Sequence, residues 1–352
     1  MAPRILITGT TGYIGGSVLA AITKAHPEYD VTAILRKVSQ NYVDAYPRVK
    51  TIVGDYDSAD ILADAASKSD IVIHAGDSDH KGAMQALLTG LGRRTSPTFL
   101  IHLSGTACLA DFQSFGVLSP RIWSDVDDVE EFAKLPEDRI HRPVDKLVFE
   151  AAAAHGAHIH TAIVCPPHVY GRGHGPGITQ SYMVPFFYDA IIAHKSAFYI
   201  GKGENARSLV HIEDIMSLYV SLVEEAVKSL DTGTLRDECW GQNGLYFTSG
   251  SELVWKDIAA ATGKSMASLG LIDSAELTEA TVEEFRSMFG GSGLALHMFG
   301  GNSRSRADRA RSFLGWKPTA PGLVEVIEAD ILDHHKDKQR DVMDVLANLG
   351  DK

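Results

Sequence analysis

Three glycines near the start of the chain have the spacing that can hold a pyrophosphate group. Gly9, Gly12 and Gly15 follow an apolar run at residues 5–7 and lead into an apolar pattern of helical period. In such a turn the first glycine makes the tight bend, the second lets the backbone approach a phosphate, and the third lets helix and strand pack closely. The phosphates then lie at the positive end of the helix. The predicted cofactor contacts of this turn are Gly9, Thr11, Gly12, Tyr13 and Ile14.

A basic pair after the second predicted strand bears on the kind of dinucleotide. Arg36 and Lys37 follow the apolar segment 30–35, and Arg36 stands 21 positions after Gly15. At this point of a dinucleotide-binding fold a carboxylate accepts the ribose 2′-hydroxyl of NAD, whereas an arginine accommodates the 2′-phosphate of NADP. Because no carboxylate stands here, we expect NADP(H), with NAD(H) as the alternative. The competing interpretation is that both cations are solvated surface charges.

The form of the glycine turn and three later motifs resemble the extended, sugar-nucleotide epimerase-like branch of the short-chain dehydrogenase/reductase superfamily. The turn has the spacing G-x-x-G-x-x-G with Thr8 before it. The later motifs are a Pro-Pro-x-x-Tyr-Gly loop at 166–171, a Val-His-x-x-Asp segment at 210–214 and a Leu-Gly-Trp-x-Pro turn at 314–318. The resemblance extends over most of the chain, and parts of it look more like a fungal NAD(P)-binding group of that branch.

The resemblance implies a fold and a domain organisation. The expected fold is α/β, a doubly wound parallel sheet of Rossmann type with a smaller C-terminal substrate lobe. Residues 1–165 and 207–248 would form the NAD(P)-binding domain, and residues 166–206 and 249–322 the substrate lobe. Residues 323–352 would form a C-terminal helix, with an amphipathic pattern that could pack on a partner subunit.

The resemblance also assigns residues around the nicotinamide. Ser104 or Thr106, after the fifth predicted strand, would hydrogen-bond the substrate carbonyl, and Lys146 would hold the nicotinamide ribose. Asp55 would meet the adenine amino group, although a carboxylate before a helix can also serve as an N-cap. The other cofactor-lining positions are Ala75, Pro166 and His168.

The chain departs from the superfamily at the residue that normally moves the proton. The pattern Tyr-x-x-x-Lys is matched at Lys146, but Arg142 occupies the tyrosine position. Arginine stays protonated and cannot exchange a proton as a phenol does. Another side chain could supply the proton, Arg142 could stabilise an oxyanion while water supplies it, or the protein could sense the nucleotide without redox chemistry. The candidate donors are His141, His168, Tyr170 and Tyr182.

These residues together favour one function and leave two alternatives. We expect an NADP(H)-dependent oxidoreductase that transfers a hydride to or from the carbonyl or alcohol of a small organic molecule. An epimerase or isomerase that uses bound cofactor is the alternative among enzymes, and a non-enzymatic NAD(P)-sensing regulator is the alternative outside them. The sequence contains neither of the metal-binding motifs H-E-x-x-H and C-x-x-C, so no metal is expected.

Composition and charge limit the partners. The net charge of −12 and the absence of a basic stripe argue against nucleic acid. The three cysteines lie far apart, which predicts free buried thiols in a reducing compartment. No apolar run reaches the length of a membrane span and no signal peptide precedes the first strand, so a cytoplasmic protein without a membrane partner is expected.

Two surface predictions remain. The region 109–140 is rich in acidic residues, among them Asp125, and is expected to be a solvated insert. The helix at residues 146–155 is the predicted interface of a homodimer, because superfamily members often pair through the helix that carries the lysine motif. Phe149 is the position at which a charge would be expected to give a monomer.

Overall fold

A sheet of seven parallel strands forms the centre of the molecule. The computed structural model describes residues 2–111, 113–289, 291 and 293–337. The strands are β1 (Arg4–Thr8), β2 (Asp30–Leu35), β3 (Lys50–Val53), β4 (Ile71–His74), β5 (Thr98–Leu103), β6 (Trp123–Ser124), β7 (Ile159–Cys165), β8 (His168–Tyr170), β9 (Ala197–Ile200), β10 (Ala206–His211), β11 (Leu245–Phe247), β12 (Ser251–Val254), β13 (Leu277–Ala280) and β14 (Ser305–Arg306). The order across the central sheet is β11-β7-β5-β4-β1-β2-β3.

Helices cover both faces of this sheet. They are α1 (Tyr13–Ala25), α2 (Gln40–Ala45), α3 (Ala59–Ser67), α4 (Lys81–Gly92), α5 (Val129–Ala133), α6 (Arg142–His155), α7 (Met183–His194), α8 (Ile212–Thr232), α9 (Trp255–Ser268), α10 (Val282–Met288), α11 (Gly293–Gly300), α12 (Asp308–Leu314) and α13 (Leu323–Asp337). Ile5 and Ile7 pack on one face with α1 and α8, whereas Leu6 packs on the other with α3, α4 and α6. This alternation confirms the predicted doubly wound Rossmann-type fold.

The strand order reverses between β1 and β4, and this reversal locates the ligand crevice. The chain runs outward from β1 through β2 to β3 and then returns to place β4 on the other side of β1. In open parallel sheets, ligands bind outside the carboxyl ends of the strands at such a switch point. The site is therefore expected where the glycine turn after β1 meets the segments that follow β4, β5 and β7.

The smaller lobe has an aromatic core of its own. Phe186, Phe187, Trp255, Phe285 and Phe299 pack together within it. Strand β10, which the sequence assigned to the nucleotide-binding domain, pairs instead with β8 and β12, and α8 carries the chain back to pack against α1. The predicted domain boundaries at 166, 207 and 249 remain an interpretation.

The C-terminal helix packs on its own chain. Leu323, Ile327 and Ile331 of α13 are buried in the aromatic core of the lobe, so its apolar face is covered without a partner subunit. The remainder of the predicted helix, residues 338–352, lies outside the described residues. The amphipathic pattern was thus interpreted correctly, but its apolar face points inward.

Two surface predictions differ from the structure. Asp125 is fully buried. Its carboxylate accepts the backbone N–H groups of Phe247 and Arg309 at 2.9 Å each, and these hydrogen bonds compensate for the loss of water. Phe149 is 8% exposed and packs near Phe132 in the core, so a charge there would disrupt folding rather than test an interface. Homodimerisation stays a prediction, and Ala154 on the exposed side of α6 is a better position for its test.

The state of the cysteines agrees with the sequence prediction. Cys108, Cys165 and Cys239 are all buried and free, which confirms the expectation of unpaired thiols. Within the part of the chain that the structure describes, no helix combines the length and apolarity needed to cross a bilayer.

Candidate functional site

The glycine turn has the close backbone packing that its spacing predicts. Gly9 has φ of +77°, and a Cβ at this position would lie 2.2 Å from the carbonyl oxygen of Ala75. A Cβ at Gly15 would lie 2.3 Å from the carbonyl oxygen of Gly9. Gly12 is the N-cap of α1 and offers no capping side chain, so the N–H groups of Tyr13 and Ile14 at the helix start are available to an anion.

A second glycine-rich segment, residues 171–178, closes over this turn. The Tyr13 hydroxyl donates to the carbonyl oxygen of Gly171 at 2.6 Å, and the Ile178 N–H donates to the carbonyl oxygen of Thr11 at 3.0 Å. Gly177 is required here, since a Cβ would lie 2.3 Å from the Thr11 oxygen. This segment belongs to the predicted substrate lobe, and the structure shows it in contact with the start of α1.

Helix α13 fixes the same segment from the other side. The Asp330 carboxylate accepts the Gly171 N–H at 2.9 Å, and Arg172 pairs with Asp333 at 2.5 Å. Burial raises the pKa of Asp330 to about 6, and Asp333 adds to the rise by repulsion. Asp330 therefore loses its proton at a higher pH in the folded protein than a carboxyl group in water does.

The Asp330 contact makes stability depend on pH. Its pKa is higher in the folded protein than in the unfolded chain, so the folded state loses relative stability as pH rises from about 4 to about 6. Asp330→Asn keeps an acceptor for Gly171 without a charge, and we expect it to stabilise the protein by about 1–2 kcal/mol at pH 7.5 and by little at pH 4. Urea unfolding at both pH values measures this, with exposed Glu328→Gln as control. A smaller gain at pH 7.5 than at pH 4 would contradict the assignment.

The residues predicted around the adenosine lie at the ends of β2 and β3. Arg36 is exposed directly after β2 and forms no ion pair within the described ranges. Asp55, after β3, accepts the Ser58 hydroxyl at 2.6 Å and the Asp57 N–H at 3.2 Å, and these hydrogen bonds lower the pKa of its carboxyl. Asp55 therefore orders the turn before α3. Its contact with the adenine amino group stays a prediction.

A tyrosine that the sequence did not single out lies beside these residues. A Cβ on Gly76, directly after β4, would fall 1.8 Å from the Tyr56 hydroxyl oxygen. The Tyr56 ring also meets His74 edge-on at 5.8 Å. Burial raises the pKa of Tyr56, so it stays a neutral phenol lying across the end of β4 beside Ala75.

The end of β5 holds the two predicted hydroxyls in different environments. Ser104 is 5% exposed and donates its hydroxyl to the Asp145 carboxylate at 3.1 Å. Thr106 donates its backbone N–H to the carbonyl oxygen of Pro166 at 3.0 Å, and the Ser303 hydroxyl lies 3.2 Å from its Oγ1. Ser104 thus has its proton committed to Asp145, which leaves its oxygen as an acceptor only.

Helix α6 presents different residues to the site than the sequence suggested. Arg142 is 1% exposed, stacks over the Phe132 ring at 4.8 Å and donates to the Ala133 carbonyl oxygen at 2.9 Å. Lys146 lies on the exposed side of α6 and pairs with Glu137. The structure therefore does not bring Lys146 to Ser104. His141 and Asp145 each stand one residue before Arg142 and Lys146. They form the i, i+4 pair whose contacts lie at the site.

The floor of the site is a buried polar row across three strands and α6. Thr8, His74 and His102 are neighbours in register on β1, β4 and β5. The Thr8 hydroxyl lies 2.7 Å from His74 Nδ1, and His102 Nε2 lies 3.5 Å from the Asp145 carboxylate. Burial, with the neighbouring His102 ring, lowers the pKa of His74 to about 3, so His74 is neutral. Arg142 and Asp145 form a buried charge pair in this floor, at 3.4 Å.

His141 is positioned by a carboxylate from the loop after β4. It is the N-cap of α6, with φ of +68°. Asp79 Oδ1 accepts the His141 backbone N–H at 2.8 Å and lies 3.2 Å from its Nδ1. The other ring nitrogen, Nε2, lies 3.1 Å from where a Cβ on Gly105 would stand. The ring therefore rests against the backbone between Ser104 and Thr106.

Two other predicted proton donors, Tyr170 and His168, each have a polar atom engaged elsewhere. The Tyr170 hydroxyl donates to the Pro321 carbonyl oxygen at 2.9 Å, and burial raises the pKa of Tyr170 to about 12. His168 Nε2 lies 2.9 Å from the Arg207 guanidinium, and burial lowers the pKa of His168 well below its usual value. Tyr182 stands at the N-cap of α7.

Arg207 is a buried cation at the border of the lobe. It is 3% exposed, and burial lowers its pKa to about 9. Its described partners are His168 and the Gly301 carbonyl oxygen, and none of the ion pairs among the described residues includes it. Since a buried charge without a counter-charge is costly, an anionic group bound here would be stabilised.

The features missed by sequence reasoning are the contacts of His141 with Asp79 and of Ser104 with Asp145. The first joins positions separated by 62 residues and the second joins positions separated by 41. The available signal was the i, i+4 spacing of His141 and Asp145, which precedes the Arg142 and Lys146 pair by one residue.

Family models match the two segments that build this site. Residues 9–107, which contain the glycine turn, match a family described as NAD(P)H-binding. Residues 141–233, which begin at His141, match the NAD dependent epimerase/dehydratase family.

Two sequence relatives cover nearly the whole chain. The oxidase ucsJ of Acremonium sp. is 29% identical in an alignment 338 residues long that covers 93% of this chain and 96% of the relative. The uncharacterized protein YLL056C of Saccharomyces cerevisiae is 26% identical, over 93% of this chain and 98% of the relative.

Solved structures share the fold at low identity. The dTDP-glucose 4,6-dehydratase of Bacillus anthracis, in complex with NAD, is 12% identical with a TM-score of 0.62, over 96% of this chain and 98% of the other. The UDP-glucose 4-epimerase of Thermotoga maritima, with UDP-glucose, is 13% identical with a TM-score of 0.61, over 96% and 100%. These similarities support the Rossmann-type interpretation of the central sheet.

Proposed function

We propose that this chain, in which an NAD(P)H-binding segment and an NAD-dependent epimerase/dehydratase segment meet on one Rossmann-type sheet, is an NADP(H)-dependent oxidoreductase. It transfers a hydride to or from the carbonyl or alcohol of a small organic molecule. The observation that carries the proposal is the glycine turn, where two positions exclude any Cβ while the start of α1 is left uncapped.

The residues present fit a nicotinamide dinucleotide. The pyrophosphate would lie on the N–H groups of Tyr13 and Ile14, and the adenosine ribose near Arg36. The nicotinamide end would lie toward Ser104 and Thr106, at the switch point beside β4 and β5. When bound, the cofactor supplies the hydride. The chain's own residues orient it and its substrate and exclude water beneath the segment 171–178.

Sequence identity to the two kinds of relative favours an oxidoreductase over an epimerase. The relative named an oxidase is 29% identical over nearly the whole chain, whereas the epimerase structure is 13% identical and indicates the fold alone. The predicted nucleotide sensor remains the outcome expected if a dinucleotide binds and no hydride moves.

The preference for the 2′-phosphorylated cofactor rests on Arg36. Arg36→Asp would replace a cation that can pair with a phosphate by a charge that repels it. We expect the Kd of NADPH to rise by about 10- to 100-fold and that of NADH by less than about threefold. Calorimetry measures both constants, with Arg48→Asp as an equal charge reversal at another exposed site. Equal effects of the two variants on NADPH would contradict the preference.

Hydride transfer is tested directly with deuterium-labelled cofactor. The protein is incubated with NADPH deuterated at either face of nicotinamide C4 and with a panel of aromatic aldehydes and ketones that includes 4-nitrobenzaldehyde. We expect an alcohol carrying one deuterium from one face of the cofactor only, detected by mass spectrometry. A cofactor that binds but transfers no deuterium to any member of the panel would favour the sensor.

A further inference from the structure

His141 lies where a proton must be exchanged if hydride transfer occurs at the end of β5. Its ring rests on Gly105, and the residues on either side are Ser104 and Thr106, the two predicted carbonyl contacts. The side chain is 16% exposed, so it is largely enclosed and still reachable from the crevice. The position is near the nicotinamide end of the site as proposed above, and the inference rests on that proposed function.

Asp79 determines which nitrogen of His141 can act. A carboxylate only accepts hydrogen bonds, so the 3.2 Å contact assigns a proton to Nδ1. The second bond, from the His141 backbone N–H at 2.8 Å, fixes the start of α6 to the same oxygen. The remaining nitrogen, Nε2, faces Gly105 and is the one that can give or take a proton.

Four of the rival groups are already engaged. Arg142 is held by Phe132 and Ala133, and Lys146 pairs with Glu137 on the exposed side of the helix. The Tyr170 hydroxyl donates to Pro321. His168 faces Arg207, and burial, with the charge of Arg207 adding to it, lowers the pKa of His168 well below its usual value.

We propose that His141, oriented by Asp79, is the acid–base residue that replaces the missing tyrosine. In the direction of reduction, the hydride attacks the carbonyl carbon and the C=O π electrons move to oxygen. The imidazolium gives its Nε2 proton to that oxygen, which leaves an alcohol, oxidised cofactor and neutral His141. Solvent then restores the proton. In oxidation, neutral Nε2 removes the alcohol proton as the hydride leaves.

The charged and titratable groups around His141 agree with this role. Asp79 accepts the backbone N–H of His141 at 2.8 Å and lies 3.2 Å from its Nδ1, which fixes the orientation of the ring. Arg139 stands two residues before His141 and donates to the Cys108 carbonyl oxygen at 2.7 Å. His297 of α11 is buried, which lowers its pKa to about 3, so it adds no charge beside His141 at neutral pH. A general acid must carry its proton to donate it, so the rate of reduction should fall as pH rises.

The test compares three variants in the deuteride transfer assay with 4-nitrobenzaldehyde. His141→Asn suits the left-handed backbone, which asparagine tolerates, and lacks an exchangeable ring proton. We expect kcat to fall by about 10²- to 10⁴-fold and the high-pH limb to vanish, with the Kd of NADPH changed less than about threefold. Asp79→Asn, at the positioning residue, should move the limb to lower pH. His155→Asn, at the exposed end of α6, is the control.

The outcomes separate this inference from the proposed function. A wild type that transfers deuteride, with a His141→Asn variant that keeps kcat within about threefold and retains the high-pH limb, overturns the role of His141 alone. A wild type that transfers none overturns both. Should thermal melting show that His141→Asn is unfolded, His141→Gln is measured in its place under the same criteria.

Discussion

Gly9→Ala is expected to destabilise the protein by about 3–5 kcal/mol and to abolish dinucleotide binding. The added Cβ would lie 2.2 Å from the Ala75 carbonyl oxygen, which belongs to the backbone at the end of β4 and cannot rotate away. The left-handed φ of +77° adds strain for any residue with a Cβ. Relief would require β1 and β4 to separate at the ends where the cofactor is proposed to bind.

Gly92→Ala is the matched control. Gly92 is the exposed last residue of α4, and a Cβ there has no neighbour within 4 Å. We expect a small gain of about 0.5–1 kcal/mol from the better helix propensity of alanine. Urea unfolding measures both variants. A Gly9→Ala protein within about 1 kcal/mol of wild type would contradict the close packing of the turn.

Asp145→Asn is expected to cost about 3–5 kcal/mol, because it leaves Arg142 as a buried charge without its counter-charge. Both side chains are at most 1% exposed. The effect should come from the orphaned charge rather than from the lost contact itself, since their 3.4 Å separation makes a weak hydrogen bond. Adding Arg142→Met to this variant should therefore recover much of the stability.

Asp64→Asn is the control for this second prediction. Asp64 pairs with Lys68 at 2.6 Å, a shorter distance than in the buried pair, but both side chains are more than half exposed. We expect a change below about 1 kcal/mol. Urea unfolding of the single and double variants gives the result. If Arg142→Met fails to recover stability in the Asp145→Asn background, the cost does not arise from the arginine charge.

The sequence predicted the parts of the fold that depend on local pattern. The apolar runs predicted the parallel strands, and Gly9 and Gly15 identified the turn, because only glycine fits where a backbone carbonyl lies so close. The Leu-Gly-Trp-x-Pro turn was also visible, and in the structure the Trp316 indole donates to the Asp214 carbonyl oxygen at 2.9 Å.

The parts that were misjudged depend on contacts distant in sequence. Asp125 carries an acidic pattern typical of a surface, and its burial comes from Phe247 and Arg309, 122 and 184 positions away. The orientation of α6 depends on Phe132. The Arg142 guanidinium packs on its ring in the core, and Lys146 lies on the exposed side of the helix, where it pairs with Glu137. The site roles of Arg142 and Lys146 stay predictions, since their orientation is set by packing that the sequence pattern does not display.

A nicotinamide dinucleotide is proposed to bind at the glycine turn, and calorimetric titration of NAD⁺, NADH, NADP⁺ and NADPH into the wild-type protein shows whether it does. We predict one-to-one binding with a Kd of about 100 µM or lower for at least the two 2′-phosphorylated forms. The same titration into a folded Gly12→Val variant should lose this heat, because the branched side chain would occupy the space proposed for the pyrophosphate. Absence of binding by all four dinucleotides would contradict the claim and leave the glycine turn a structural feature only.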